Sequence, residues 1–125
     1  MPPLVLAVLL DQDTSLAWLR DTLHPAGLHC PRCGAGAGLH VHRRHRAPLL
    51  DYRCAGCGKV LNAWTGTPLA GVRRPPVVLL LLVRGFARGA PLAALARDLR
   101  CSRRHLAGLR RLPGLVRRYR ARPPL

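Results

Sequence analysis

Runs of apolar residues divide the chain before any single motif does. Residues 4–10, LVLAVLL, are apolar throughout, which suits a short buried helix or strand without deciding between them. Leu16, Leu19 and Leu23 then recur at helical spacing, with Trp18 beside them, and predict a helix from about Ser15 to His24. Asp13 or Thr14 would cap its start, and Pro25 with Gly27 would stop it. From residue 28 the pattern shortens into strand-like runs at 39–43, 49–53 and 59–64. Residues 65–76 carry Gly66, Pro68, Gly71, Pro75 and Pro76 and read as a connection.

Beyond Pro76 the period becomes helical again. One helix is predicted to about Arg88, with Pro75 or Pro76 in its first turn and Gly89 after its end. It is apolar on nearly every side, so it belongs in a core or against a partner. Two more helices are predicted, from Pro91 to about Leu99 and from Ser102 to about Leu112, with Pro113-Gly114 ending the second. Residues 115–125, LVRRYRARPPL, read as a loose basic tail. The pattern therefore predicts an α+β chain. An N-terminal helical segment (1–27) precedes a ribbon of about three antiparallel strands (28–66) and a linker (67–75). A three-helix part (76–114) and the basic tail (115–125) follow.

Charge turns this outline towards a partner. Lys and Arg number 21 against five Asp and Glu, a net charge of +16. The excess is uneven: residues 1–29 sum to −2, residues 30–68 to +5 and residues 69–125 to +13. Codon bias can enrich Arg, which supplies twenty of the 21 bases, but it does not remove acids. A polyanion, nucleic acid above all, is the expected partner. Aromatic residues make up only 4%, too few for a stacking platform on single strands, so the duplex form is favoured. The apolar runs at 4–10 and 77–83 hold seven residues each, far below the roughly 20 that span a bilayer. With no basic stretch ahead of the first run, no targeting signal is read. A soluble, cytoplasmic, nucleoid-associated protein with no membrane partner is expected.

The chemistry lies in four cysteines. They stand as Cys30-Pro-Arg-Cys33-Gly and Cys54-Ala-Gly-Cys57-Gly, with twenty residues between the pairs. Two intervening residues let one tight turn present both sulfurs to one ion, and Gly34 and Gly58 supply the permissive backbone. Four thiolates with no open position suit one structural Zn²⁺, which would contribute on the order of 10 kcal/mol to folding. Disulfides and a redox CxxC are the competing readings, disfavoured by the lack of a secretion signal and of a thioredoxin-like pattern. His29, His40, His42 and His45 flank the site, but four cysteines already fill the shell. His40 and His42 share a strand face near Arg44 and read as an exposed face that meets phosphate.

Residues 92–111, LAALARDLRCSRRHLAGLRR, fit a helix-turn-helix. Leu95, Leu99, Cys101, Leu106 and Leu109 take its core positions, Ala96 its small position, and Ser102 caps the second helix. Ser102, Arg103, Arg104 and His105 would then open the recognition helix, while Arg110, Arg111, Arg117, Arg118 and Arg120 would meet phosphates. Two residues depart from the pattern. The turn wants a left-handed Gly where Arg100 stands, at about 1–2 kcal/mol if the conformation is kept. Gly108 within the second helix costs about 1 more.

Taken together, HCPRCG, LDYRCAGCGKVLNAWTGTPLAG and GAPLAALARDLRCSRRHLAGLRR resemble the N-terminal region of bacterial insertion-sequence transposases. In that family a zinc ribbon and a helix-turn-helix precede an Asp-Asp-Glu nuclease domain. The resemblance covers about residues 12–112, and the Thr-Gly-Thr-Pro-Leu-Ala-Gly exit after Cys57 is its most specific part. It implies that Cys30, Cys33, Cys54 and Cys57 bind zinc and that residues 92–111 bind DNA such as transposon ends. An intact transposase or a second copy of the chain are further partners it implies. The nuclease needs three carboxylates holding two metal ions, whereas here only Asp98 lies beyond residue 51. A truncated transposase region without catalysis is therefore expected. A small transcription regulator and a protein-interaction adaptor, using the ribbon and the apolar helix 76–88, are the alternatives.

Overall fold

A computed structural model describes residues 11–100, 102 and 113–123. Among these the protein is α+β, with four helices and one three-stranded antiparallel sheet. The helices are α1 (Gln12–Leu23), α2 (Pro76–Ala87), α3 (Leu92–Leu99) and α4 (Pro113–Ala121). The strands β1 (Leu39–Arg43), β2 (Asp51–Cys54) and β3 (Val60–Leu61) lie in the order β1-β2-β3. The chain divides into two compact units, residues 20–73 and residues 1–19 with 74–125.

In the helical unit the start of α1 and both ends of α2 are satisfied by named groups. Asp11, not Asp13 or Thr14, caps α1: its Oδ1 accepts the Thr14 amide at 2.6 Å. That bond to the Thr14 amide holds the Asp11 carboxyl below its ordinary range. Pro76 opens α2, where a missing amide costs nothing, and Pro75 offers no cap. Gln12 supplies one from α1, its Oε1 accepting the Val77 amide at 3.0 Å. At the other end the Ala90 amide reaches the Gly85 carbonyl at 2.9 Å and the Gly89 amide that of Phe86 at 3.1 Å. With Gly89 at φ 70°, this is a Schellman closure.

Leu79, Leu80, Leu82 and Val83 of α2 are all buried, which explains why its apolar face has no polar side. Both α3 and α4 pack on α2. Close approach of α3 depends on Gly85: a Cβ there would lie 2.3 Å from Leu95 Cδ2 and 3.2 Å from its Cγ. Leu95 is itself only 6% exposed and has little room to turn. Leu99 packs against Val77 and Leu81.

One local expectation is corrected here: residues 115–121, read as a loose tail, are ordered in a helix that Pro113-Gly114 opens. The helix expected from Ser102 to Leu112 lies, apart from Ser102, outside the described residues. The cause of the ordered tail is tertiary. Leu115 is buried, and Tyr119 meets Trp18 of α1 edge-on at a centroid distance of 5.9 Å. Trp18 Nε1 donates to the Arg122 carbonyl at 2.9 Å, and Arg120 Nε to the Ala87 carbonyl at 3.1 Å.

In the ribbon unit the register sets two faces. Leu39 pairs with Cys54, and Val41 with Tyr52, which pairs with Leu61; Leu39, Tyr52, Cys54 and Leu61 pack in one small core. The second strand begins at Asp51 rather than residue 49, and the third stops at Leu61 rather than running to 64. The reason is Asn62, whose side chain closes a turn. Its Oδ1 accepts the Trp64 amide at 2.8 Å, and its own amide donates to Thr65 Oγ1 at 2.9 Å. Thr67 Oγ1 then donates to the Trp64 carbonyl at 2.6 Å and accepts the Leu69 amide at 3.1 Å. Trp64, Leu69 and Val72 are buried, so residues 62–72 are packed chain and not a free spacer.

Two substitutions test this packing through the urea midpoint of unfolding. Gly85→Ala gains about 1 kcal/mol of helix propensity but overpacks against Leu95 by about 1–3, so a net loss of about 1 kcal/mol is expected. Arg100→Gly, at the left-handed residue that ends α3 (φ 54°, ψ 43°), is expected to gain about 1 kcal/mol.

Candidate metal centre and basic surfaces

Each CxxC pair folds into the same turn. The Gly34 amide donates to the Cys30 carbonyl and the Gly58 amide to the Cys54 carbonyl, both at 2.8 Å. The Cys30 amide donates to Ala35 and the Cys54 amide to Lys59, both at 2.9 Å. Gly34 and Gly58 both sit at φ 78°, the left-handed backbone that lets the chain leave the turn without a Cβ clash. The second turn is tied to the start of β1 by the Ala55 amide, which donates to the Gly38 carbonyl at 2.9 Å.

These two turns bring four sulfurs together, all within 4.8 Å of one another. Cys30 Sγ lies 3.5 Å from Cys57 Sγ, and Cys33 Sγ lies 3.6 Å from Cys54 Sγ. A tetrahedral ion with metal–sulfur bonds of about 2.3 Å requires sulfurs about 3.8 Å apart, so the cage fits a single ion. It does not fit a disulfide, which needs about 2.05 Å, and all four thiols are free. Cys30 and Cys54 are buried, Cys57 partly so, and Cys33 opens to solvent.

The thiols do not ionise alike. The Cys33 amide, helped by that of Arg32, favours the Cys30 thiolate and brings its pKa down to about 6. The Cys57 amide lowers Cys54 in the same way. On Cys33 the Ala35 amide also favours the thiolate, but the neighbouring Cys54 thiol and burial outweigh it and push the pKa up to about 11. The amides thus favour the thiolate at Cys30 and Cys54, and a dication is what would let all four ionise together.

The histidines that flank this cage are outside the set of four ligand atoms. His29 Nδ1 donates to the Gly27 carbonyl at 2.8 Å, and His24 Nε2 to the Ala63 carbonyl at 2.7 Å. His40 and His42 lie on β1 and are exposed, whereas Arg44 has already left the strand.

Of the expected DNA-contacting residues, Ser102 is exposed, and Arg117 and Arg118 are exposed on α4. Arg103, Arg104, His105, Arg110 and Arg111 lie outside the described residues, as do Cys101, Leu106, Gly108 and Leu109. Arg100 takes a left-handed conformation, φ 54°, as expected of the turn at that position, without a glycine. Two residues went unnoticed in the sequence: Asn62, which ends β3, and Gly85, which admits Leu95. An Asn four residues before a Gly in a Thr-rich exit was the available signal for the first.

Fold and site together define a small α+β protein with a four-cysteine metal cage on an antiparallel ribbon. No protein family, curated protein or solved structure matches the chain. No helix among the described residues is long and apolar enough to cross a membrane.

Replacing a ligand isolates the cage. Cys54→Ser is expected to lower metal affinity by more than about 100-fold, measured by competition with a chromophoric chelator. Cys101→Ser, which leaves all four cage cysteines in place, is expected to leave the affinity within about twofold of the unaltered protein.

Proposed function

We propose that the protein is a zinc-stabilised module that binds duplex DNA, with the ribbon's metal structural and the helices supplying the reading surface. Zinc is favoured among metals because four thiolates at tetrahedral separation leave no open position and match its preferred donors. The observation that carries the DNA reading is the charge: +16 overall, with most of it after residue 68, where Asp98 is the only acid. That acid lies beside Arg97, at 3.7 Å, and no other ion pair among the described residues reaches it. Left-handed Arg100 supports a helix-turn-helix at residues 92–111, since it supplies the tight turn that a second helix requires. In organisation this resembles the N-terminal region of insertion-sequence transposases, and transposon ends are the proposed class of target. Binding, not strand chemistry, is the proposed activity.

Phosphate neutralisation predicts a salt-dependent affinity. About six phosphate contacts would weaken binding roughly a thousandfold between about 50 and 200 mM salt. Arg103→Ala with Arg104→Ala is expected to weaken binding to a specific site at least about tenfold more than binding to random duplex, as base-reading arginines should. Affinity indifferent to salt would overturn the DNA reading; equal losses on both duplexes would reduce these arginines to phosphate contacts.

A further inference from the structure

We propose that the solvent face of the ribbon sheet, centred on Arg53, is a second contact surface for the phosphate backbone of duplex DNA. The proposal rests on the DNA-binding reading and adds to it a surface outside the helix-turn-helix. It follows from the sheet register. Arg53 of the central strand pairs with His40 on one side and Val60 on the other, so the three stand in one row across the sheet. Leu39, Cys54 and Leu61 point into the metal-site core, so this row points the other way, and all three of its residues are exposed. Arg43, opposite Asp51 after a register shift, extends the same face by one row.

The charge on this face is not consumed within the protein. The ribbon unit, residues 20–73, has eight Lys and Arg but only two carboxylates, Asp21 and Asp51. Asp21 lies beside Arg20 at 3.4 Å; Asp51 accepts Asn62 Nδ2 at 3.2 Å and faces His45 Nδ1 at 4.0 Å. No ion pair among the described residues reaches Arg43 or Arg53. Four metal-bound thiolates on the opposite side would offset only part of this excess.

The chemistry of the row selects the occupant. It offers a guanidinium, an imidazole and a small aliphatic side chain, with no Phe, Tyr or Trp; Tyr52 belongs to the other face. Bases of a single strand would find no large aromatic platform there, whereas an arginine fork suits a phosphate oxygen pair. A short antiparallel ribbon is also an element that duplex grooves admit.

The test uses the full chain carrying its metal, with Arg43→Gln and Arg53→Gln combined. Both residues are exposed, and unchanged metal content and circular dichroism would establish that the ribbon is intact. Binding to random-sequence duplex is measured across a potassium chloride series. The expected result is a log–log salt slope shallower by about 2 and an affinity about tenfold lower in 0.1 M salt. Arg53→Lys, which keeps the charge, is expected to retain the unaltered slope and so to distinguish charge from packing. An unchanged slope in the double variant overturns the sheet surface alone. Absence of duplex binding by the unaltered protein overturns both this and the DNA reading. Equal competition by poly-glutamate would also overturn the proposal, replacing DNA with a general preference for polyanions.

Discussion

Mutual repulsion among four thiolates is the constraint on which the ribbon unit depends. Held within 4.8 Å, the sulfurs cannot all ionise unless a cation lies among them. Without that ion the unit has little else to hold its strands: β3 is two residues long, and the core around the cage is a handful of side chains. A three-stranded sheet of this size needs a staple, and an ion in the cage would supply one by pinning both turns. The amides that lower Cys30 and Cys54 would make that staple easier to set, since they favour the thiolate at both.

The helical unit is organised by a different economy. Its core is the leucine-rich α2, and α3 reaches α2 through one absent side chain, that of Gly85, against Leu95. Helix ends are closed by residues distant in sequence, as where Gln12 receives the Val77 amide. Arg100 completes α3 in a conformation that usually selects glycine, so strain is stored at the end of that helix. Retaining arginine there keeps a positive charge at that turn.

Much of this was readable from residues alone, because the strongest signals were short-range. CxxC spacing with a following glycine dictates its turn, and the structure repeats that turn twice with the same hydrogen bonds. Apolar periodicity located α2 and α3 to within a residue or two at each end. What escaped was tertiary. Nothing local announces that Pro113-Gly114 opens a helix, because the reason is Leu115 burial and the meeting of Tyr119 with Trp18, about a hundred positions away. The end of β3 was misplaced because Lys59 to Trp64 reads as one strand until the Asn62 side chain takes the Trp64 amide. The same Asn62–Thr65–Thr67 network gives the Thr-Gly-Thr-Pro exit a stereochemical purpose beyond any family likeness. Gly66, at φ 75°, lets that exit pass beside Pro31 of the first cysteine turn.

A metal held by Cys30, Cys33, Cys54 and Cys57 would organise the sheet whose outer face carries Arg53. Amide hydrogen exchange of β1, β2 and β3, with the metal bound and after chelation, tests that role most directly. Protection at the paired residues, Tyr52 and Arg53 among them, is expected to collapse once the metal is removed. Full retention of that protection in the metal-free protein would contradict it.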